Sequence, residues 1–570
     1  MINLIPRVKR LDELFGTLKR KAIYCDISGL DERLSLALSS LTLSEDGTPL
    51  SLSYGDGDGE GYTLSVGKER IEIRGESVRG AFYAIQTLRQ LFVCESVPCV
   101  YIEDKPDFAY RGFYHDVTRG RVPTLDTLKA LVDKMTYFKM NSLQLYVEHT
   151  YPFEECYEIA DRWGSVTPEE LSELDVYCRE RFIDFIPSLS TFGHMYEILK
   201  QEKYRHLRVL SDFEETANFR RERMLHHTIN PEHRESLELV SSLIGQYVKN
   251  FSSEYFNICC DETFDLESAA GDRAGELYVE FVKKIISVVK SHVRVPMMWA
   301  DILEKHPETI SSLPEDTIFL TWDYGANPEK ENIERISKMQ RRQIVCPGTT
   351  TWSRLSEDIN NSESNIAKMA EYGYELGAYG VLNTNWGDYG NPCTLELATF
   401  GLVWGAEKSW SVGTPIGEDF YRRIEALVYK QEGAVAAIRR AAEVGITTRE
   451  WNFLFNLYCN RRFGESHPCD APDAALAAER RDGALALLLE LTDTTWGEDS
   501  YRRELCIALE GIAVSLELLL SECKTPFGRK TSTAEWLGRY RESWLGSSKE
   551  SEFQRIEEYF TYLDKGDYTV

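Results

Sequence analysis

A pair of neighbouring carboxylates, Asp261 and Glu262, directly follows the apolar run YFNICC and is the sharpest chemical signal in the sequence. Two carboxylates that share a partly desolvated pocket cannot easily both ionise, so we expect one of them to have a raised pKa. A proton donor beside a permanent anion is the combination that cleavage of a glycosidic bond requires. The pair therefore indicates acid–base catalysis on a sugar, against the simpler interpretation of two solvated surface charges.

Other apolar runs are also followed by polar and aromatic residues. Large aromatic planes bind the apolar faces of sugar rings, and four of the eleven tryptophans stand at such positions. Arg111 lies inside the first run, where we expect its charge to meet a carboxylate or a ligand hydroxyl. The residues at or just past the ends of the runs are Asp116, Arg119, Glu148, His149, His194, Trp299, Asp301, Trp322, Tyr324, Trp352, Trp386 and Asp388.

Eight such runs alternate with helical patterns between residues 107 and 415. This rhythm predicts an α/β fold, a closed parallel (β/α)₈ barrel of the TIM type, in which chemistry lies where the strands end. The carboxyl ends of all eight strands then meet at one face. The predicted strands are 110–116, 141–147, 182–188, 254–260, 295–300, 317–323, 343–348 and 379–384.

Two further domains flank the predicted barrel. Residues 1–106 mix β-rich runs with one amphipathic helix, 77–92, which predicts a small α+β domain. Within it, the segment YGDGDGEGY imitates the start of a calcium loop but has Gly67 where a bidentate glutamate is needed, so we predict a glycine-rich hairpin turn. Residues 416–570 repeat apolar positions at helical spacing and predict a C-terminal helical domain.

The composition restricts the class of protein. With 43% hydrophobic and 28% charged residues among 570, the chain can build a large core, which excludes disorder and a collagen-like fibre. A net charge of −27 disfavours nucleic-acid partners, and the absence of about 18 consecutive apolar residues disfavours a membrane bundle. Thirteen scattered cysteines without a CxxC pattern and a start without a secretory apolar run favour a cytoplasmic protein with reduced thiols.

Several ordered motifs resemble the family 20 glycoside hydrolases, the β-N-acetylhexosaminidases, over residues 1 to about 412. AFYAIQTLRQLF followed by PDFAYRGFYHDVTRG is similar to the family's N-terminal domain and its junction with the first barrel strand. IPSLSTFGH resembles the third-strand motif that ends in histidine, and FNICCDETFDL resembles the fourth-strand motif with the Asp-Glu pair. PMMWADI, LTWDYG and NTNWGDYG are similar to segments of the branch that acts on small exo-substrates inside cells.

The resemblance implies a retaining hydrolysis in which the substrate's own 2-acetamido group is the nucleophile. Glu262 would protonate the glycosidic oxygen and later activate water, and Asp261 would hold the acetamido N–H. Arg111 and Asp388 would grip the outer hydroxyls of the terminal sugar, and His194 would support the acid. The acetamido pocket would be formed by Trp299, Trp322 and Trp386, the aglycone site by Trp352, and the bond to the acetamido oxygen by Tyr324.

The sequence departs from the family pattern at two places, and two alternative functions remain open. Cys259 and Cys260 stand where small glycines usually precede the Asp-Glu pair, and CPGTTTWSR lacks the seventh-strand Asp-x-Tyr, which leaves the acetamido-binding tyrosine open. The chain could instead be a non-catalytic sugar-binding barrel or a hydrolase with a metal at Glu148, His149, His194 and Asp261, although no HxH or HExxH spacing supports the metal. The leading hypothesis requires no cofactor. It predicts a small glycan or glycoconjugate as partner, and a homodimer is possible.

Overall fold

Eight parallel strands close into a barrel, preceded by a mixed six-stranded sheet and followed by helices. The structure, a computed structural model, describes residues 2–210, 216–224, 227–301, 306–469, 472–523 and 527–565. The predicted fold class, a TIM-type barrel with an N-terminal α+β region and a C-terminal helical region, is confirmed.

The N-terminal sheet has the strand order β1-β6-β4-β5-β3-β2. The predicted amphipathic helix is Val78–Leu91, and the Ser77 hydroxyl begins it by accepting bonds from two backbone N–H groups, a typical N-cap. The helix buries its apolar stripe on the sheet. The other helix of this region is Glu32–Leu38, and the strands are β1 (Arg10–Thr17), β2 (Ile23–Tyr24), β3 (Thr48–Tyr54), β4 (Tyr62–Val66), β5 (Ile71–Gly75) and β6 (Pro98–Asp104).

The hairpin prediction for the glycine-rich segment 54–62 is wrong. This segment joins β3 to β4, but β5 lies between these strands, pairing parallel with β3 and antiparallel with β4. The hairpin is therefore the next connection, between β4 and β5, where Gly67 N–H donates to the Arg70 carbonyl. A run of turn residues predicts that the chain reverses, but sheet pairing decides which strands become neighbours.

The barrel strands follow the predicted runs within one or two residues, except the fourth. That strand is only Tyr255–Asn257, because Cys259 and Cys260 adopt left-handed backbone conformations that cannot continue a strand. The ladder β10-β11-β12-β13-β14-β7-β8-β9 closes the barrel. Its strands are β7 (Tyr110–Asp116), β8 (Ser142–Val147), β9 (Asp184–Leu189), β10 (Tyr255–Asn257), β11 (Val295–Trp299), β12 (Ile318–Trp322), β13 (Gln343–Cys346) and β14 (Gly380–Asn385).

Helices surround the barrel and continue beyond it as one packed group. The helices between and after the strands are Leu125–Tyr137, Tyr157–Trp163, Pro168–Arg179, Tyr196–Leu199, Phe219–Met224, Arg234–Tyr247, Phe264–Ala270, Ala274–Ser291, Glu331–Lys338, Ile359–Glu375 and Thr399–Trp410. Those of the C-terminal region are Glu418–Ile424, Ala434–Val444, Thr448–Phe463, Ala474–Thr492, Asp499–Glu522, Thr533–Ser547 and Phe553–Lys565. In the described part of the chain, no helix is long and apolar enough to cross a membrane.

Candidate active site

The two neighbouring carboxylates lie past the end of β10 and approach one histidine. Nε2 of His194 is 3.4 Å from Oδ2 of Asp261 and 3.2 Å from Oε2 of Glu262. The His194 and Asp261 side chains are almost fully buried, whereas 30% of the Glu262 side chain is exposed. The structure therefore brings these three groups together, with Glu262 nearest to the solvent.

An unusual backbone makes this convergence possible. Gly193 passes so close to β10 that a Cβ atom on it would lie 2.3 Å from the Asp261 carbonyl oxygen, so only glycine fits there. Left-handed φ values cost non-glycine residues about 1–3 kcal/mol each and are often found at functional sites. Four such residues cluster here, namely His194 (56°), Cys259 (57°), Cys260 (66°) and Glu262 (51°). Cys259 and Cys260 thus have left-handed backbone conformations that glycine would adopt without a steric penalty.

Aromatic rings form a continuous wall at this end of the barrel. The Trp386 ring lies 5.7 Å from Trp299 and 5.2 Å from Tyr146, and Tyr146 lies 6.4 Å from the His194 ring. Tyr324 extends the wall, because it accepts a 2.7 Å hydrogen bond from Nε1 of Trp386. Its ring stacks on Trp322 at 5.1 Å and lies 5.3 Å from Trp352. The four predicted tryptophans are therefore gathered around one site.

A second charged group borders the aromatic wall. The Arg119 guanidinium binds Asp388 and lies 3.3 Å from Oε1 of Glu148, which accepts a 2.8 Å bond from the Tyr146 hydroxyl. The same guanidinium is 5.3 Å from the centre of the Trp386 ring. With 27% of the Asp388 side chain exposed, this pair presents a cation and an anion to the solvent beside the aromatic wall.

The pKa values of the site differ from those that the sequence predicts. Burial by itself lowers the pKa of His194, but the carboxylates of Asp261 and Glu262 outweigh burial and raise the pKa to about 10. Burial raises the pKa of Glu262, but the His194 cation outweighs it and lowers the pKa to about 2. The raised carboxyl is instead Asp301, whose pKa burial and the neighbouring Asp261 raise to about 7. The expectation that one member of the Asp-Glu pair has the raised pKa is therefore not met at Glu262.

Asp301→Asn is expected to flatten the pH dependence of stability. Oδ2 of Asp301 accepts the Glu262 N–H, while its buried Oδ1 has no hydrogen-bond partner among the described residues. The folded protein keeps the Asp301 proton up to about pH 7 and the unfolded chain loses it near 3.8, so stability falls as the pH rises between these values. The neutral amide removes this loss, which unfolding midpoints measured across that range would show. Asp272→Asn, on an exposed surface, is the control, and midpoints that follow the wild type at every pH would contradict the prediction.

Arg111 is not part of this site, and its assignment to substrate binding is wrong. Along β7, Tyr110 and Tyr114 point into the barrel, so Arg111 points outward, near the amino end of its strand. Its side chain is fully buried against the N-terminal region, where it pairs with Glu60 at 2.6 Å and donates to the Lys139 carbonyl. The expectation that its charge meets a carboxylate is confirmed.

Arg111→Met is therefore expected to destabilise the protein rather than to weaken sugar binding. The substitution leaves the largely buried Glu60 without its main cation, and breaking such a pair costs about 3–5 kcal/mol. Arg10→Met breaks an exposed pair with Asp12 and should change the stability far less, because solvent screens such a pair. Urea unfolding of both variants measures the difference. A stable Arg111→Met variant with a raised KM would restore the sugar-binding assignment.

The structure thus gathers most of the predicted residues and adds others. The available signal that Arg119 rather than Arg111 reaches the active face was position along the strand, since Arg119 follows the carboxyl end of β7 whereas Arg111 lies near its amino end. His227, whose Nδ1 accepts the His194 N–H at 2.8 Å, carries no such signal, because it lies in a long loop. The residues gathered here with a predicted role are Asp261, Glu262, His194, Trp299, Trp322, Tyr324, Trp352, Trp386 and Asp388. Arg119, Glu148 and Asp301, predicted at strand ends without an assigned role, join them, and Tyr114, Tyr146 and His227 are additional.

One group of histidine and carboxylate side chains within the described ranges has ligand atoms close enough to share a metal ion. It consists of His206, His233 and Glu235, whose ligand atoms all lie within 4.8 Å of one another. Its members differ from the set proposed for a metal-dependent hydrolase, Glu148, His149, His194 and Asp261.

A closed parallel barrel with an acidic pair, a histidine and an aromatic wall at the carboxyl ends of its strands defines a barrel-type glycoside hydrolase. Two family models match the chain: glycosyl hydrolase family 20, catalytic domain, over residues 108–396, and glycosyl hydrolase family 20, domain 2, over residues 26–105. The chain belongs to glycoside hydrolase family 20.

The individual relatives compared below are 18–26% identical to this chain. Human hexosaminidase D is 25% identical over 311 residues, which cover 50% of this chain and 62% of that protein. Bovine hexosaminidase D is 26% identical over 224 residues, covering 37% of this chain and 61% of that protein, so the alignments span about three fifths of these relatives. The Flavobacterium johnsoniae chitobiase structure shares the fold, with a TM-score of 0.62, 18% identity and coverage of 98% of this chain and 99% of that one.

Proposed function

We propose that the protein is an exo-acting β-N-acetylhexosaminidase that removes terminal β-linked N-acetylglucosamine or N-acetylgalactosamine. The observation that carries the proposal is the convergence of Asp261 and Glu262 on His194 beside the Trp299–Trp386 wall. Membership of family 20 and the similarity to hexosaminidases support the same class of substrate.

Glu262 is the proposed general acid and base. In the free enzyme it is ionised beside the His194 cation, whose Nε2 lies 3.2 Å from Oε2, so the proton available to the acid is carried by His194. A bound sugar covers the exposed 30% of the Glu262 side chain, and this desolvation raises the carboxyl pKa and favours the move of the proton to it. The protonated carboxyl then donates to the glycosidic oxygen, and the carboxylate later accepts a proton from the attacking water.

Asp261 and Tyr324 are proposed to position the acetamido group. The Asp261 carboxylate accepts the acetamido N–H and stabilises the positive charge that develops as the acetamido oxygen attacks the anomeric carbon to give an oxazolinium ion. Tyr324 accepts its hydrogen bond from Trp386, so its own hydroxyl proton is left to donate to the acetamido oxygen. The sugar supplies the nucleophile, and no second carboxylate is needed about 5 Å across the ring.

Arg119 and Asp388 are proposed to bind the outer hydroxyls of the terminal sugar. A guanidinium offers donors and a carboxylate offers acceptors, so the pair can satisfy vicinal hydroxyl groups. Hydroxyls bound in this way carry no further sugar, which is the reason for proposing exo action. All thirteen cysteines are free thiols, which supports a reducing compartment such as the cytoplasm.

A panel of aryl β-glycosides that differ only at the second and fourth carbons tests the proposal. Hydrolysis of the 2-acetamido-2-deoxy sugars, with little turnover of the 2-hydroxy sugars, is the expected result. The pair that differs at the fourth carbon separates gluco from galacto preference. Binding of N-acetylglucosamine without hydrolysis would favour a sugar-binding barrel, and loss of activity on exhaustive chelation would favour a metal-dependent hydrolase.

A further inference from the structure

The C-terminal helical region contacts the active face of the barrel, although neither family model extends beyond residue 396. Several of its contacts come from one short stretch, residues 548–552, between the helices Thr533–Ser547 and Phe553–Lys565; we name it the brace segment. It touches loops that follow β7 and β9, and the helix before it touches the loop that follows β14. These three loops carry the site residues Arg119, His227 and Asp388.

The loop after β7 is bound to the brace segment through its backbone. Lys549 N–H donates to the Val122 carbonyl at 2.8 Å, and Val122 N–H donates to the Ser551 hydroxyl at 3.0 Å. Glu552 N–H donates to the Gly120 carbonyl at 3.0 Å. Because Gly120 directly follows Arg119, these bonds fix the backbone that aims the guanidinium towards the site.

The loop after β14 is fixed to the first loop and to the helix that precedes the brace segment. Gly120 has a φ of +122°, and a Cβ atom there would lie 2.4 Å from Gly390, so the two loops are in direct backbone contact. The hydroxyl of the buried Tyr540 donates to the Pro392 carbonyl at 2.7 Å. Asp388, the partner of Arg119, lies two residues before Gly390 and four residues before Pro392.

The loop after β9 is bound to the brace segment through a buried ion pair. Arg223 contacts Glu552, and only 8% and 2% of their side chains are exposed. Arg223 lies four residues before His227, which in turn accepts the His194 N–H. Charges this deeply buried are retained only when they are paired, so the pair anchors the helix Phe219–Met224 to the brace segment.

We propose that Glu552 and Tyr540 are positioning residues of the active site, acting on the loops that carry Arg119, His227 and Asp388. The backbone N–H of Glu552 holds Gly120 and its carboxylate holds Arg223, while the Tyr540 hydroxyl holds Pro392. The helical region is then part of the scaffold of the sugar-binding subsite rather than only a cover for the barrel. This inference rests on the proposed function, because it assigns both residues to the alignment of the terminal sugar.

Glu552→Gln tests the inference, because it removes the charge while it keeps the size and the backbone bond to Gly120. We expect kcat/KM for an aryl 2-acetamido-2-deoxy-β-glucoside to fall by about 10- to 100-fold, since misplacement of a binding group by about 1 Å has effects of this size. Most of the loss should appear in KM, and the inhibition constant of N-acetylglucosamine should rise in parallel.

Glu517→Gln is the matched control. Glu517 is also almost fully buried in the helical region, but it accepts bonds from Lys530 and Thr531, within that region. Both variants are assayed well below their unfolding midpoints. The inference predicts that only Glu552→Gln loses kcat/KM, whereas equal values for the two variants would overturn it.

A third variant covers the case in which Glu552→Gln does not fold. Tyr540→Phe removes a single hydroxyl, the donor to Pro392, and should raise KM by about threefold or more. An unchanged KM in the folded variant would overturn the inference. A wild type that hydrolyses no member of the glycoside panel would instead overturn the proposed function, and the inference with it; an active wild type with unaffected variants overturns the inference alone.

Discussion

Glu262→Gln is expected to lower kcat by roughly 10²–10⁴-fold on a 2-acetamido glycoside with a poor leaving group, the usual contribution of general acid catalysis. Glutamine keeps the size of the side chain but cannot transfer a proton to the glycosidic oxygen. The loss should shrink on a dinitrophenyl glycoside, because that leaving group departs without protonation. Steady-state kinetics on the two substrates measures the contrast.

Glu276→Gln, an exposed carboxylate on the helix Ala274–Ser291, is the control for this prediction. It should leave kcat unchanged on both substrates. A folded Glu262→Gln variant with wild-type turnover of the poor substrate would remove Glu262 from the acid–base role. Equal losses on both substrates would mean that the residue acts on binding or structure and not on the leaving group.

Asp261→Asn is expected to reduce kcat/KM on 2-acetamido substrates by about 10²–10³-fold, the size of effect that follows removal of a preorganised charge-stabilising group. The neutral amide no longer stabilises the positive charge of the oxazolinium ion. Intramolecular attack is the source of the proposed rate enhancement, so substrates that lack the acetamido group should lose little. Kinetics on a matched pair of aryl 2-acetamido and 2-hydroxy β-glucosides measures the selectivity of the loss.

A second substrate series strengthens the Asp261 test. Fluorine atoms on the acetamido methyl group weaken its carbonyl as a nucleophile, so wild-type rates should fall stepwise with each fluorine. Asp272→Asn, at an exposed position, should behave as the wild type in both series. Equal loss on the 2-hydroxy glucoside, or rates that do not respond to fluorination, would argue against assistance by the acetamido group.

Most of the architecture could be predicted from the sequence because it depends on local periodicity. Seven of the eight barrel strands lie within one or two residues of the predicted runs, since buried parallel strands are short apolar runs whose ends are marked by polar residues. The fourth strand is shorter, because left-handed backbone at Cys259 and Cys260 has no signature in side-chain polarity. The hairpin predicted at 54–62 failed because strand pairing is not a local property.

The site was predicted only in part, and the two candidate arginines show why. Arg111 and Arg119 both lie near the first barrel strand, and the type of residue does not distinguish them. One is buried at the opposite end of the barrel against Glu60, and the other meets Asp388 at the active face. Position along the strand and the direction of the side chain, not residue type, separate structure from function here.

Residue order and spacing are enough to predict the class of fold, the adjacent acidic pair and the supply of tryptophans. The distribution of charge and the contacts between loops depend on residues that meet only in the folded chain. The pKa values of His194 and Asp301 are both raised, because a pKa depends on burial and on charges that come from different strands. The contact of Glu552 with Arg223, across 329 residues of chain, likewise exists only once the chain is folded.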